Sequence, residues 1–330
     1  MFNKILNTKL YLGPMTKNIV DGVIVFAEKH NTPLCLIASR RQIDQNGGYV
    51  NNWTTSEFAT YVKKRSDKVL VCRDHGGIGQ GRVYDDGILS LLEDAVHMDL
   101  IHIDPWKKLD IDDAVDYTTK MIILCSKTNN NCVFEVGTEE SIFTMTPDQL
   151  EYLLLSIQKR IPNLFHKIKY AVIQSGTSLK DGSNTGQYNE TRLLDMINVC
   201  LKFNVLSKEH NGDYLTPRQI KNKFNIGLNS INIAPEVAHI ETSIILNSIT
   251  SIKFDKWFNL CVADGQWSKW FSKGFEPNEN KEKVIELCGH YVLSNQEFID
   301  IFDLDLISNK VCGKLEKFIL LGRNVNLLLL

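Results

Sequence analysis

No apolar run in this 330-residue chain approaches the ~18 residues that a membrane-crossing helix needs. No excess of basic charge is present either. Lys and Arg number 37 against 39 Asp and Glu, a formal net charge of −2, which argues against a dedicated nucleic-acid binder. No Cys-x-x-Cys pair occurs among the eight cysteines at 35, 72, 125, 132, 200, 261, 288 and 312. A zinc knuckle or a thioredoxin-type site is therefore not expected. Several cysteines sit in apolar runs such as Leu34-Cys35-Leu36-Ile37, where a reduced thiol behaves as a small buried hydrophobe. Residues 1–7 lack the apolar stretch and small-residue cleavage site of a secretion signal, so a cytoplasmic protein with no membrane association is expected. The 43% hydrophobic and 23% charged composition is that of a globular chain.

Short apolar runs alternate with amphipathic stretches. Strands are expected at 9–13, 33–39, 68–73, 99–103, 132–136, 168–174, 205–209 and 229–234, ending roughly 25–40 residues apart, the length of a strand–helix–strand unit. Helix starts lie between them. Thr54-Thr55-Ser56-Glu57, Thr146-Pro147-Asp148-Gln149 and Thr216-Pro217-Arg218-Gln219 each place a hydroxyl three residues before a Glu or Gln, so that two unpaired N–H groups are satisfied reciprocally. Leu150, Leu153, Leu154 and Ile157 then recur at helical steps. Eight such repeats predict a (β/α)8 TIM barrel over residues 1–250, close to the usual size of about 250 residues. An open doubly wound sheet is the competing architecture. Residues 251–330, with Trp257, Trp267 and Trp270, a capping-box pattern at Ser294-Asn295-Gln296-Glu297 and a Leu327–Leu330 end, read as a helical C-terminal appendage on the barrel or on a neighbouring subunit.

In such a barrel the chemistry sits where the strands end. The expected ends carry Arg40-Arg41, Asp74-His75, His102-Ile103-Asp104, Glu135-Val136-Gly137-Thr138-Glu139, Gln174-Ser175-Gly176, Glu209-His210 and Asn232. An isolated Asp-His pair is more often a turn than a site, and His210 heads a turn-like Asn211-Gly212-Asp213. Their convergence on one mouth is what gives them weight. Carboxylates and imidazoles together suit a divalent metal, and His75, Glu135 and His210 would supply two nitrogens and an oxygen while leaving a position open. Asp74 would move a proton. The Arg40 and Arg41 guanidiniums suit a phosphate or carboxylate. The following Gly76-Gly77-Ile78-Gly79-Gln80-Gly81 loop lacks the Lys-Ser/Thr of a nucleotide-binding loop and reads as a gate or a flexible lid. The period of two does not decide whether His102 faces the barrel interior or the helices. His30, His97, His166, His239 and His290 read as surface or packing residues.

Gln42-Ile43-Asp44-Gln45-Asn46-Gly47-Gly48-Tyr49, Thr55 and Phe58, then Asp74-His75, Ile101-His102-Ile103-Asp104, Glu135-Val136-Gly137-Thr138-Glu139, Gln174-Ser175-Gly176 and Glu209-His210 together resemble the accessory (non-catalytic) subunit family of class II tagatose-bisphosphate aldolase, which includes related sugar-phosphate epimerases. The resemblance implies a barrel of the class II aldolase type, with Asp74-His75 matching the proton-transfer Asp and first zinc ligand of the catalytic members, and His210 a later ligand. Gln174 stands where another ligand histidine is expected. The sequence also departs at Ile37, where the family carries an acid, at Arg40 and Arg41, where it carries small polar residues, and after Glu139, where a Pro- and Gly-rich loop is missing. Taken together, the expectation is a metal-dependent aldolase or epimerase (lyase or isomerase) of carbohydrate metabolism, acting on a phosphorylated ketose or related anionic sugar. His75, Glu135 and His210 would hold a divalent metal, zinc first, and Asp74 and Glu139 would move protons. Arg40, Arg41, Asp104, Gln174, Ser175 and Asn232 would bind substrate. The alternative is a non-catalytic accessory subunit that stabilises a class II tagatose-bisphosphate-type aldolase, and a third reading is a sugar-phosphate binding module without turnover. The expected partners are the sugar-phosphate substrate and either a catalytic aldolase subunit or further copies of this chain in a homo-oligomer.

Overall fold

The computed structural model describes Ile5 and residues 8–320. Eight parallel strands close into a barrel: β1 (Leu10–Leu12), β2 (Leu34–Ser39), β3 (Val69–Gly76), β4 (Leu100–Ile103), β5 (Phe134–Val136), β6 (Ile168–Ile173), β9 (Leu206–Glu209) and β10 (Ser230–Ile233), with β10 pairing back onto β1. The numbering leaves β7 (Leu179–Lys180) and β8 (Ser183–Asn184) for a small antiparallel hairpin in the loop after β6. Closure, rather than an open sheet, is the observed architecture. Helices α1 (Lys17–His30), α2 (Thr55–Lys63), α3 (Ile88–His97), α4 (Ile111–Thr128), α5 (Pro147–Arg160), α6 (Glu190–Lys202), α7 (Pro217–Ile226) and α8 (Pro235–Leu246) follow the strands in turn.

The three expected capping boxes form at Thr54, Thr146 and Thr216. Leu150, Leu153, Leu154 and Ile157 of α5 are all buried. Alternation divides each strand between two cores. Tyr11, Cys35, Ile37, Leu70, Cys72, Leu100, Val133 and Tyr170 pack together inside the barrel, whereas Leu36, Val69, Val71, Ile101, Ile103, Phe134 and Val136 meet the helices. Arg73 faces outward with Val69 and Val71. Fully buried, it forks onto Asp94 of α3 and donates to the carbonyls of Ala38 and Ile43. All eight cysteines are free, and seven are buried.

After Thr250 the chain adds α9 (Ser251–Asp264), α10 (Lys281–Cys288), α11 (Gln296–Ile299) and α12 (Ser308–Phe318), with α12 packed on α1 and α8. Trp257 is buried there against Phe298. The capping pattern at Ser294 resolves differently from expectation. Asn295 caps α11, while the Ser294 hydroxyl accepts the Asn51 amide and ties the appendage to the loop after β2. Leu327–Leu330 lie outside the described residues. Among the described residues, no helix is long and apolar enough to cross a membrane.

Candidate metal centre and barrel mouth

The period of two places Leu70, Cys72 and Asp74 on the inner face of β3, Leu100 and His102 on that of β4, and Val133 and Glu135 on that of β5. His102 therefore faces inward, paired in register with Glu135. A regular strand would turn His75 away from its neighbour Asp74. Here the β3–β4 register shifts between Arg73 and Gly76, and His75 adopts φ 45°, a left-handed conformation costly for a non-glycine residue. The kink turns both side chains to the centre. A Cβ at the next residue, Gly76, would come within 2.7 Å of the His102 carbonyl, so only glycine fits beneath the kink.

Three imidazoles surround Asp74. His75 Nε2 lies 3.5 Å from one Asp74 oxygen, and His102 Nδ1 and His210 Nδ1 lie 3.7 and 3.6 Å from the other. One ligand atom from each of these four residues falls within 4.8 Å of every other. The outer nitrogen of each ring is committed to an acceptor. His75 Nδ1 meets Asp104 Oδ2 at 2.5 Å, His102 Nε2 meets the Gly137 carbonyl at 3.0 Å, and His210 Nε2 meets Glu135 Oε1 at 2.8 Å. Carbonyls and carboxylates only accept, so the outer nitrogens carry the protons and the inner ones present lone pairs, as in metal-binding histidines. The His102 inner nitrogen also takes the His75 amide at 3.2 Å. Asp74 Oδ1 and His210 Nδ1 are buried without any hydrogen-bond partner. Orphaned lone pairs on a converging N/O donor set fit a divalent cation.

The surrounding charge points the same way. Burial disfavours a charged His75, yet Asp74 and Asp104 outweigh it and push the ring up to about 10. Burial likewise opposes a charged His102, and Glu135 together with Asp74 raises it. Burial opposes ionisation of Asp74, but the His75 and His210 charges hold it well below the usual carboxylate range. The carboxylates that draw protons to these rings also attract a divalent cation, whose binding to the inner nitrogens would displace those protons.

Several expected site residues take other roles. Glu135 is not in the four-residue ligand group. Its second oxygen meets Lys208 Nζ at 2.7 Å, both side chains fully buried, and Lys208 sits 3.5 Å above the Tyr11 ring. Burial works against the charge of Glu135, but Lys208 and His102 hold it down to about 2. Its first oxygen, on His210 Nε2, fixes the orientation of that ring. Asp104 similarly orients His75 through its Oδ2. Arg40 is buried and already fully partnered. Its guanidinium is spent on both oxygens of Asp85 at 2.6 Å, on Asp44 and on the Gly77 carbonyl, so it staples the glycine-rich loop to the β2 turn. The Gln174 amide is consumed by the Thr138 and Phe143 carbonyls, the Met145 amide and Arg192, behind the mouth. Ser175 is bonded to Glu209 and Lys223 in a separate buried cluster.

The mouth itself is a cavity of about 300 Å³ that includes Asp74, His75, His210, Glu139, Arg41, Lys107 and Asn232 in its walls. Asn232 is buried with neither amide atom bonded, free for a ligand. Arg41 has no carboxylate within ion-pair distance among the described residues. Lys107 donates to Gln80 at 2.6 Å; burial and the charge of Arg41 lower its pKa. Sequence reasoning missed Lys107 and left His102 undecided. The Leu100–His102 alternation was the available signal for the second; nothing local marked the first. Trp270 and Tyr291 bring the C-terminal helices to the rim.

No protein-family model matches the chain, and no curated protein sequence matches it. Solved structures do. A probable tagatose 6 phosphate kinase from Sinorhizobium meliloti 1021 superposes with TM-score 0.73 at 14% identity, over 94% of this chain and 92% of that one. The YdjI aldolase from Escherichia coli K12 gives TM-score 0.53 at 14% identity, over 91% and 93%. The fructose-bisphosphate aldolase from Campylobacter jejuni gives 0.53 at 14%, over 93% of each chain. At these identities the likeness establishes the fold alone: a closed (β/α)8 barrel with C-terminal helices.

Proposed function

We propose that this chain is a metal-dependent aldolase or epimerase acting on a phosphorylated ketose or a related anionic sugar. The observation that carries the reading is the triple imidazole group, with every outer nitrogen committed and every inner nitrogen turned to Asp74. His75, His102 and His210, with Asp74 beside them, would hold the ion, zinc first. When bound, such an ion polarises a carbonyl and stabilises the enediolate left by loss of a proton or of a carbon fragment.

The chain's own groups supply the rest. Arg41 and Lys107 offer two cationic donors to the anionic end, one forked and one a point charge. Asn232 offers a donor and an acceptor to a substrate hydroxyl. Asp74 Oδ1, free of donors, accepts a substrate proton at the floor of the mouth. Glu139 faces the same cavity, and inversion of a carbinol by proton exchange uses a proton-transfer group on each side of it, a part a second carboxylate can take. Cleavage needs only one.

The test is incubation of metal-loaded protein with a panel of ketose phosphates and sugar acids, reading cleaved or epimerised products. Product formation that Asp74→Asn abolishes is expected. Turnover unchanged in Asp74→Asn, or absent for every compound with metal bound, removes the proposal. Loss of epimerisation but not cleavage in Glu139→Gln identifies the two-carboxylate route.

A further inference from the structure

A second cavity lies outside the mouth. About 480 Å³ opens between the start of α1, the loop after β2, α8 and the C-terminal helices, a volume typical of small-molecule pockets. At its floor is Glu241 of α8, fully buried. Asn18 Nδ2 donates to one carboxylate oxygen at 2.7 Å and the Thr16 hydroxyl to the other. No lysine, arginine or histidine reaches ion-pair distance of it among the described residues. Three other buried carboxylates each face a cation: Asp94 meets Arg73, Glu135 meets Lys208 and Glu209 meets Lys223. A buried carboxylate with only neutral donors is costly. Burial pushes Glu241 up to about 6 although the Thr16 and Asn18 bonds favour the charge.

A second, independent feature faces the same space. His290, 1% exposed, lines the cavity with both ring nitrogens unpartnered. Burial keeps it neutral, at about 3, so it offers one N–H and one lone pair. On the open side stand the exposed carboxylates of Asp303 and Asp305, with Asn51, Asn52 and Ser294 around the rim. Lys17, the cation in the wall, is already paired with Asp21 at 2.9 Å. The lining is therefore anionic, with neutral donors and acceptors arranged beside the charge.

We propose that this chamber binds a small hydroxylated ammonium ion, an amino alcohol or amino sugar, with its ammonium group on Glu241 and its hydroxyls on His290 and the rim amides. This site is separate from the metal centre and does not depend on the aldolase reading. A bound ammonium supplies the counter-charge that Glu241 lacks, and three carboxylates against one already paired lysine set the preference for cations over neutral sugars.

Isothermal titration of metal-stripped protein with glucosamine tests it, with glucose, N-acetylglucosamine and Mg²⁺ as comparison probes. Saturable binding of glucosamine, and of neither neutral sugar, is expected. Glu241→Gln removes the charge-assisted bond and weakens binding about tenfold or more. Asp303→Asn with Asp305→Asn, confined to exposed positions, weakens it a few-fold and provides the test if the buried variant fails to fold. Absence of glucosamine binding, equal binding of glucose, binding of Mg²⁺ in place of the amine, or full retention in the Asp303/Asp305 double variant overturns the proposal.

Discussion

Replacing Lys208 by Met probes the support beneath the three-imidazole group. Lys208 and Glu135 are both fully buried and 2.7 Å apart. At an effective dielectric constant of about 20, their attraction is about 6 kcal/mol. Part of that repays desolvation, so truncating one partner of such a pair costs about 3–5 kcal/mol, chiefly because the other charge is left buried and unpaired. Met keeps most of the buried aliphatic stem, so the loss comes chiefly from the charge, including its place 3.5 Å over the Tyr11 ring. Urea unfolding of metal-stripped protein, extrapolated linearly, reads the change. Lys208→Met with Glu135→Gln removes both charges and should recover about 2 kcal/mol or more of the single-variant loss, a coupling that a double-mutant cycle isolates. A loss under about 1 kcal/mol for Lys208→Met, or additive effects in the double variant, would show that the buried pair does not support the site as argued.

Arg41→Ala and Lys107→Ala should each raise KM for phosphorylated substrates about tenfold while sparing kcat; equal effects on unphosphorylated sugars would remove the anion-holding role. Arg40→Ala should lower stability by about 3 kcal/mol, because Asp44 and Asp85 are left without their shared cation, with KM moving little in whatever protein still folds. Glu241 has a folded pKa of about 6 against an ordinary 4.5, so the folded state holds its proton more tightly and stability falls as pH rises through 4.5 to 6. Glu241→Gln should accordingly gain about 2 kcal/mol at pH 8 and nothing near pH 4; a pH-independent difference would contradict the uncompensated-carboxylate argument.

The barrel was legible in the sequence because its signals are local. Apolar runs, Thr-x-x-Glu/Gln caps and the return of the pattern every thirty or so residues report on backbone needs within a few positions. The strand ends were equally legible, which is why Asp74, His75 and His210 could be placed at one mouth. What each side chain does there depends on partners far along the chain. Arg40 is claimed by Asp85 and Gln174 by Arg192. Glu135 is claimed by Lys208, and Ser175 by Lys223. No pattern near those residues reveals that their hydrogen-bonding capacity is already spent. His102 is the converse case. It completes the group of three imidazoles around Asp74 from β4, and only the inward set of Leu100 distinguishes its face.

The most direct test of the account is equilibrium dialysis of chelator-stripped protein against Zn²⁺, comparing the unsubstituted chain with His102→Ala and with His75→Ala plus His210→Ala, each confirmed folded by circular dichroism. The account predicts about one equivalent of tightly held zinc in the unsubstituted chain. It predicts binding weakened by about tenfold or more in His102→Ala and lost in the double variant. Equal zinc binding in all three, or none in the unsubstituted chain, would contradict it.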